Sequence, residues 1–160
     1  MRLTLPATAE SVPVARHEVA RLVRASGASE RALADVALAV SEACTNVVLH
    51  AYRDHDVPGT LSLDATLHDG ELEVVVSDEG SGVHPRDDSP GLGMGMALMA
   101  AVATGVQLDH DGAATRVRLT FDLRLAHADT GEQPAESVAA EPGRPLVDAD
   151  RSAPQVTDRD

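Results

Sequence analysis

The chain has 160 residues and 16.7 kDa, room for one domain around one core. Its 13 basic residues, all arginine, face 26 acidic ones; the net charge of −13 argues against a nucleic-acid partner or an anionic membrane surface. The missing lysine excludes a Walker A P-loop, a pyridoxal Schiff base and a kinase of the eukaryotic type, and the single cysteine, Cys44, excludes an internal disulfide and a cysteine-rich zinc site.

Hydrophobic residues make up 43%, which is globular composition, but aromatics only 1% (Tyr52 and Phe121), so Leu, Val, Ala and Met must build the core. No run approaches 18 consecutive apolar residues and no signal-peptide pattern opens the chain, so a cytoplasmic protein is expected.

Arg2–Pro6 alternates outward and inward as a short strand stopped by proline. Residues 9–25 place Val12, Val19, Leu22 and Val23 at helical spacing, with Gly27 as the stop. Ser29 reads as the N-cap of a long helix to about Tyr52, with Glu30 in its first turn. Residues 60–68 and 71–77 form two strands around the hairpin signal Asp69-Gly70. A loop rich in Gly, Pro and Asp follows over 78–91, then a helix over 94–103. A last hairpin, 106–110 and 115–125, turns at Asp111-Gly112. The order β-α-α-β-β-lid-α-β-β predicts an α+β two-layer sandwich, a mixed and mostly antiparallel sheet with helices on one face. Composition changes near residue 126. Residues 126–160 carry eight acidic residues against three arginines, four prolines and no apolar period, so a disordered acidic, Pro- and Ala-rich tail is expected after a folded domain at 1–125.

Three motifs carry chemistry. In the long helix, Leu33, Val36, Val40, Ala43 and Val47 fall on one stripe at about 100° per residue. Leu38, Leu49, Ala34 and Ala39 lie on other sides, so the helix reads as covered nearly all round. Glu42 and Asn46, one turn apart on such a helix, need partners or a ligand; a carboxylate suits acid–base work and an amide oxygen a hard metal ion. Asp78-Glu79-Gly80-Ser81-Gly82 follows a strand, with a carboxylate to accept from a flat ligand and glycines that allow close backbone approach. Gly91-Leu92-Gly93-Met94-Gly95 opens a helix, where exposed N–H groups and the positive dipole end suit phosphate. A Rossmann frame is excluded, since that motif follows a loop and not a strand.

Glu42-x-x-x-Asn46 with His50-Ala51, then Asp78-x-Gly80-x-Gly82, then Gly91-x-Gly93-x-Gly95 resembles the histidine-kinase-like ATPase superfamily. The compactness of the domain is similar to the anti-sigma factor serine kinases, over about residues 1–122. The resemblance implies ATP and Mg²⁺ as ligands, with Glu42 as general base toward a partner's serine and Asn46 as the metal ligand. Asp78 would accept from the adenine amino group, with Gly80 and Gly82 beside the base. Residues 83–92 would form a lid, Gly93 and Gly95 the phosphate-facing turn (the register Gly91/Gly93 is the alternative), and Thr115 would lie near the adenine. It implies a sigma factor and an anti-anti-sigma protein as partners, and a possible homodimer.

The lid holds Arg86 as its one basic residue, and Thr104 stands where the family often has an acid. On these grounds a nucleotide-binding module that only sequesters a partner stays open, and a stand-alone ATPase, in which water replaces the serine, is a further alternative. With no phosphoacceptor helix pair before the domain, the chain is not expected to be a complete sensor histidine kinase. The seven histidines show no metal-ligand triad; His50 belongs to the first motif, and the others are expected to be solvated or satisfied.

Overall fold

A computed structural model of the chain describes residues 1–52, 57–80, 92–110 and 114–124. Its elements are β1 (Arg2–Pro6), α1 (Ser11–Ala25), α2 (Glu30–Asn46) continued by a π-helical turn (Val47–Ala51), β2 (Thr60–His68), β3 (Glu71–Asp78), α3 (Leu92–Val102), β4 (Gly105–His110) and β5 (Thr115–Asp122). The expected tail at 126–160 and the turn at Asp111-Gly112 lie outside the described residues.

The strands form one sheet in the order β1-β2-β3-β5-β4, with every neighbouring pair antiparallel. Local chemistry accounts for its hairpin: Asp69 and Gly70 take φ of 50° and 78°, the double left-handed pair of a tight turn whose twist matches its strands. Along β3, Leu72, Val74, Val76 and Asp78 point to one face and are buried. Glu71, Glu73, Val75 and Ser77 point to the other, where Arg118 pairs with Glu73 at 2.5 Å. All three helices therefore belong to the first face, as expected of a two-layer sandwich.

Helix α1 ends on Gly27, whose φ of 77° lets its N–H reach the Arg24 carbonyl. Helix α2 starts on Ser29, whose Oγ accepts from the Ala32 N–H at 3.2 Å. The stripe Leu33, Val36, Val40, Ala43 and Val47 is buried as expected, packed on Leu63, Val74 and Leu119 of the sheet within one core. Helix α2 is the middle helix, with α1 against one flank and α3 against the other. The helical stretch Glu30–Ala51 is long and apolar enough to cross a bilayer, but here it is the core helix of the helix layer.

Its outer side is bare: Leu38 and Leu49 are exposed, and Glu42 and Asn46 are only half-buried. The expectation of a helix covered all round is thus corrected. One layer of helices on one face of a sheet leaves each helix an open back. Thr104, noted for its missing acid, has a structural task. Its N–H and its hydroxyl both donate to the Thr120 carbonyl at 2.8 Å and lead the chain into β4.

Candidate functional site

The predicted motif residues within the described segments converge at one end of α2. Where α2 would have continued as a regular helix to Tyr52, the chain widens into the π-helical turn Val47–Ala51. Such a turn inserts a residue and rotates the side chains beyond it around the helix axis. Val47 and Ala51 thereby both bury, and Tyr52 is delivered to the ends of β2 and β3.

Between this turn, β3, β5, β4 and α3 lies a cavity of about 160 Å³. Its walls are apolar (Ala43, Val47, Ala51, Val76, Met96, Leu108 and Val117), and three polar residues reach it, Asn46, Asp78 and Thr115. A narrow apolar slot with a few convergent polar groups suits a flat heteroaromatic ring, with anything attached to that ring emerging toward Asn46. A wider open groove of about 780 Å³ between α1 and α2 holds none of the motif residues.

Asp78 is the slot's charged group and is buried. Its Oδ1 accepts from the Gly80 N–H at 3.0 Å, which leaves Oδ2 as the oxygen for a ligand. Burial pushes its carboxyl above the ordinary range, and the Gly80 N–H and nearby His110 pull only partly back. Thr115, also buried, is Asp78's neighbour across β3 and β5; its hydroxyl lies 3.4 Å from His110 Nδ1. Gly80 is required by close approach, since a Cβ there would fall on the Ala51 carbonyl.

Gly95 brings α3 against the other motif. A Cβ built on it would stand 3.2 Å from Glu42 Oε2 and 3.5 Å from Asn46 Oδ1. Glu42, Asn46 and the first turns of α3 therefore share one space, adjoining the slot through Asn46. Gly93 lies in the first turn of α3, so Gly93 and Gly95 are both helical residues. Gly82, Gly91 and the lid with Arg86 lie outside the described residues.

Gly95→Ala is accordingly expected to divide stability from activity. Alanine favours a helix over glycine by roughly 1 kcal/mol, so the melting temperature should hold or rise. The added methyl displaces the Glu42 carboxylate by a few tenths of an ångström, and turnover should drop about tenfold. Calorimetric melting and a turnover assay on one preparation check both halves.

As a metal site the arrangement is sparse. Among the described residues no three His, Cys, Asp or Glu side chains gather as a cation cage. An amide oxygen beside one carboxylate, at a helix start facing solvent, fits an ion that keeps its waters and takes other ligands from phosphate oxygens, as Mg²⁺ does.

Motif reading overlooked two contributions. One is the apolar lining from Leu108, a single hydrophobic in a strand that reads as ordinary. The other is Tyr52, whose hydroxyl accepts from the Glu79 N–H at 3.0 Å and donates to the Thr60 carbonyl at 2.8 Å. Its one signal was rarity, as the chain's sole tyrosine.

The sequence profile of the histidine kinase-like ATPase domain matches residues 5–121. The chain is 32% identical over 130 residues to a serine-protein kinase RsbW of Bacillus cereus (strain AH187), spanning 72% of this chain and 80% of that one. To the serine-protein kinase RsbW of Halalkalibacterium halodurans it is 29% identical over 136 residues, 76% of this chain and 82% of the other. Among solved structures, the RsbU and RsbW domains of a Mycobacterium tuberculosis protein superimpose with a TM-score of 0.62 at 26% identity. The match covers 77% of this chain but 32% of that longer one, so this chain spans about a third of it.

Proposed function

Because the chain belongs to the histidine kinase-like ATPase domain family, on the branch of the RsbW serine-protein kinases, we propose that it is an ATP-binding anti-sigma factor and protein serine kinase that phosphorylates an anti-anti-sigma partner in a partner-switching module. The observation that carries the reading is the meeting of Glu42, Asn46 and Gly95 in one space beside the slot that ends on Asp78. The adenine occupies the slot, and its amino group donates to Asp78 Oδ2. The phosphates extend past Asn46 to the N-terminal turns of α3, where backbone N–H groups and the helix dipole receive them in place of a lysine. Asn46 Oδ1 would hold Mg²⁺, and the ion would supply charge neutralisation at the phosphates.

Glu42 works on the partner. Its carboxylate takes the proton from the serine hydroxyl as that oxygen bonds to the γ-phosphorus; the bond to the bridging oxygen breaks and ADP leaves. One helical turn between base and amide places proton acceptor and metal ligand on the same side of the phosphoryl group. The acidic chain fits protein partners, a sigma factor and the phosphate acceptor, in the cytoplasm, and a homodimer is part of this reading.

Incubation with γ-labelled ATP, Mg²⁺ and the cognate anti-anti-sigma protein is expected to label one serine of that protein. Bound ATP with no transfer would replace this reading by the sequestering module. Steady phosphate release with no partner present would replace it by the stand-alone ATPase.

A further inference from the structure

The strands β2 and β3 are in register as far as the pair Leu61 and Asp78. The next rung would join Thr60 to Glu79, the residue that leads from Asp78 into the Gly80 turn. At that rung a hydroxyl is inserted. Tyr52 Oη accepts the Glu79 N–H at 3.0 Å and donates its own proton to the Thr60 carbonyl at 2.8 Å, so it bridges the two groups that a continuing ladder would join directly. The ring is seated by Gly59, where a Cβ would fall inside it. One residue earlier, the Ala51 carbonyl lies where a Cβ on Gly80 would stand. The end of the π-helical turn thus holds the Asp78–Gly80 turn at two successive residues, one through a hydrogen bond and one through contact.

We propose that Tyr52 is a positioning residue for nucleotide recognition. By spreading β2 from β3 after Asp78, its hydroxyl turns residues 79 and 80 toward the helix layer. There the Gly80 N–H occupies Oδ1 of Asp78 and leaves Oδ2 for the ligand. The inference rests on the proposed role of Asp78 toward the adenine amino group. It adds that the affinity of that site is set from α2, through one tyrosine hydroxyl that touches neither base nor phosphate.

The test uses the full chain with Mg·ATP in titration calorimetry. Tyr52→Phe, which keeps the ring and removes the hydroxyl, is expected to weaken ATP binding about five- to tenfold. KM for ATP should rise in proportion, kcat at saturating ATP should stay within about twofold, and the Glu79 and Gly80 amides should exchange faster with solvent. Gly59→Ala, which displaces the ring, should give the same pattern. Combined with Asp78→Asn, Tyr52→Phe should weaken binding no further. A Tyr52→Phe protein that binds ATP as the wild type does, or that merely melts at a lower temperature, overturns the proposal. If Asp78→Asn weakens ATP binding and Tyr52→Phe does not, the positioning role alone falls. If Asp78→Asn binds ATP unchanged, the base site is wrongly assigned and the inference falls with it.

Discussion

Glu42→Ala is expected to slow phosphoryl transfer to the partner's serine by about 10²–10⁴-fold, the range for loss of a positioned general base. That corresponds to roughly 3–5 kcal/mol on the barrier. ATP affinity should remain within about threefold, because the slot proposed for the base lies beyond Asn46 and does not include Glu42. The fold should survive as well, since Glu42 is half-buried on the open back of α2 and no core side chain depends on it. Glu42→Gln sharpens the result. It preserves size and hydrogen-bonding capacity near Gly95 but cannot take a proton, so it should be as slow as alanine. Transfer of labelled phosphate under single-turnover conditions, with ATP binding measured alongside, checks both variants; a glutamine variant near wild-type speed would end the base assignment.

Asp78→Asn should lose about 100-fold in ATP affinity, or roughly 2–3 kcal/mol. With Oδ1 held by the Gly80 N–H, the asparagine would present its NH₂ to the adenine amino group, donor against donor. The apo protein should not suffer. Burial raises the Asp78 carboxyl above its ordinary value, so the folded state holds its proton more tightly than the unfolded chain does. Below the unfolded value of about 3.9 the carboxyl is neutral in both states and costs nothing. As pH rises through that value and on through the folded one, the cost accrues, and it is full at neutral pH. Asp78→Asn without nucleotide should therefore melt at or above the wild-type temperature at pH 7, with the gap narrowing as pH falls. In the wild type, lowering pH through the raised value protonates the acceptor and should weaken ATP binding; that component should be missing from the asparagine variant. An apo variant that melts well below the wild type would show Asp78 to be a structural residue.

The two expectations separate the roles of two adjoining spaces, the slot of Asp78 and the one that Glu42 shares with Gly95. Glu42 should affect the rate and not the binding, Asp78 the reverse, and Tyr52 should act in the direction of Asp78 with a smaller effect. Gly95→Ala stands apart as a change that favours the fold and hinders the chemistry. Glycine at that helical position is explained by the carboxylate it faces and not by the helix.

Much of this architecture is legible in the chain itself, because the signals are local. Ser29 as a cap, Gly27 as a stop, the Asp69-Gly70 turn and the apolar stripe of α2 each depend on backbone chemistry within a few residues. Boundaries are less so. The last strand ends at Asp122 and not at 125, because the Asp122 carboxylate accepts the Arg124 N–H and Leu123 turns back to bond the Gly70 carbonyl. That contact joins residues 53 positions apart, which no local pattern announces.

The spacing of Glu42 and Asn46, the absence of lysine and the glycine pairs are properties of the chain alone, and they already restrict how a phosphate could be held. Tertiary structure decided which of those residues meet. The strand order β1-β2-β3-β5-β4, the bare back of α2 that leaves Glu42 half-buried, the approach of Gly95, and the Tyr52 hydroxyl standing in for a rung of the sheet all depend on contacts between distant segments. Periodicity and turn chemistry report what a segment prefers by itself. Which carboxylate is buried, and which oxygen of it stays open to a ligand, is settled only when packing removes water from one side of the chain and leaves it on the other.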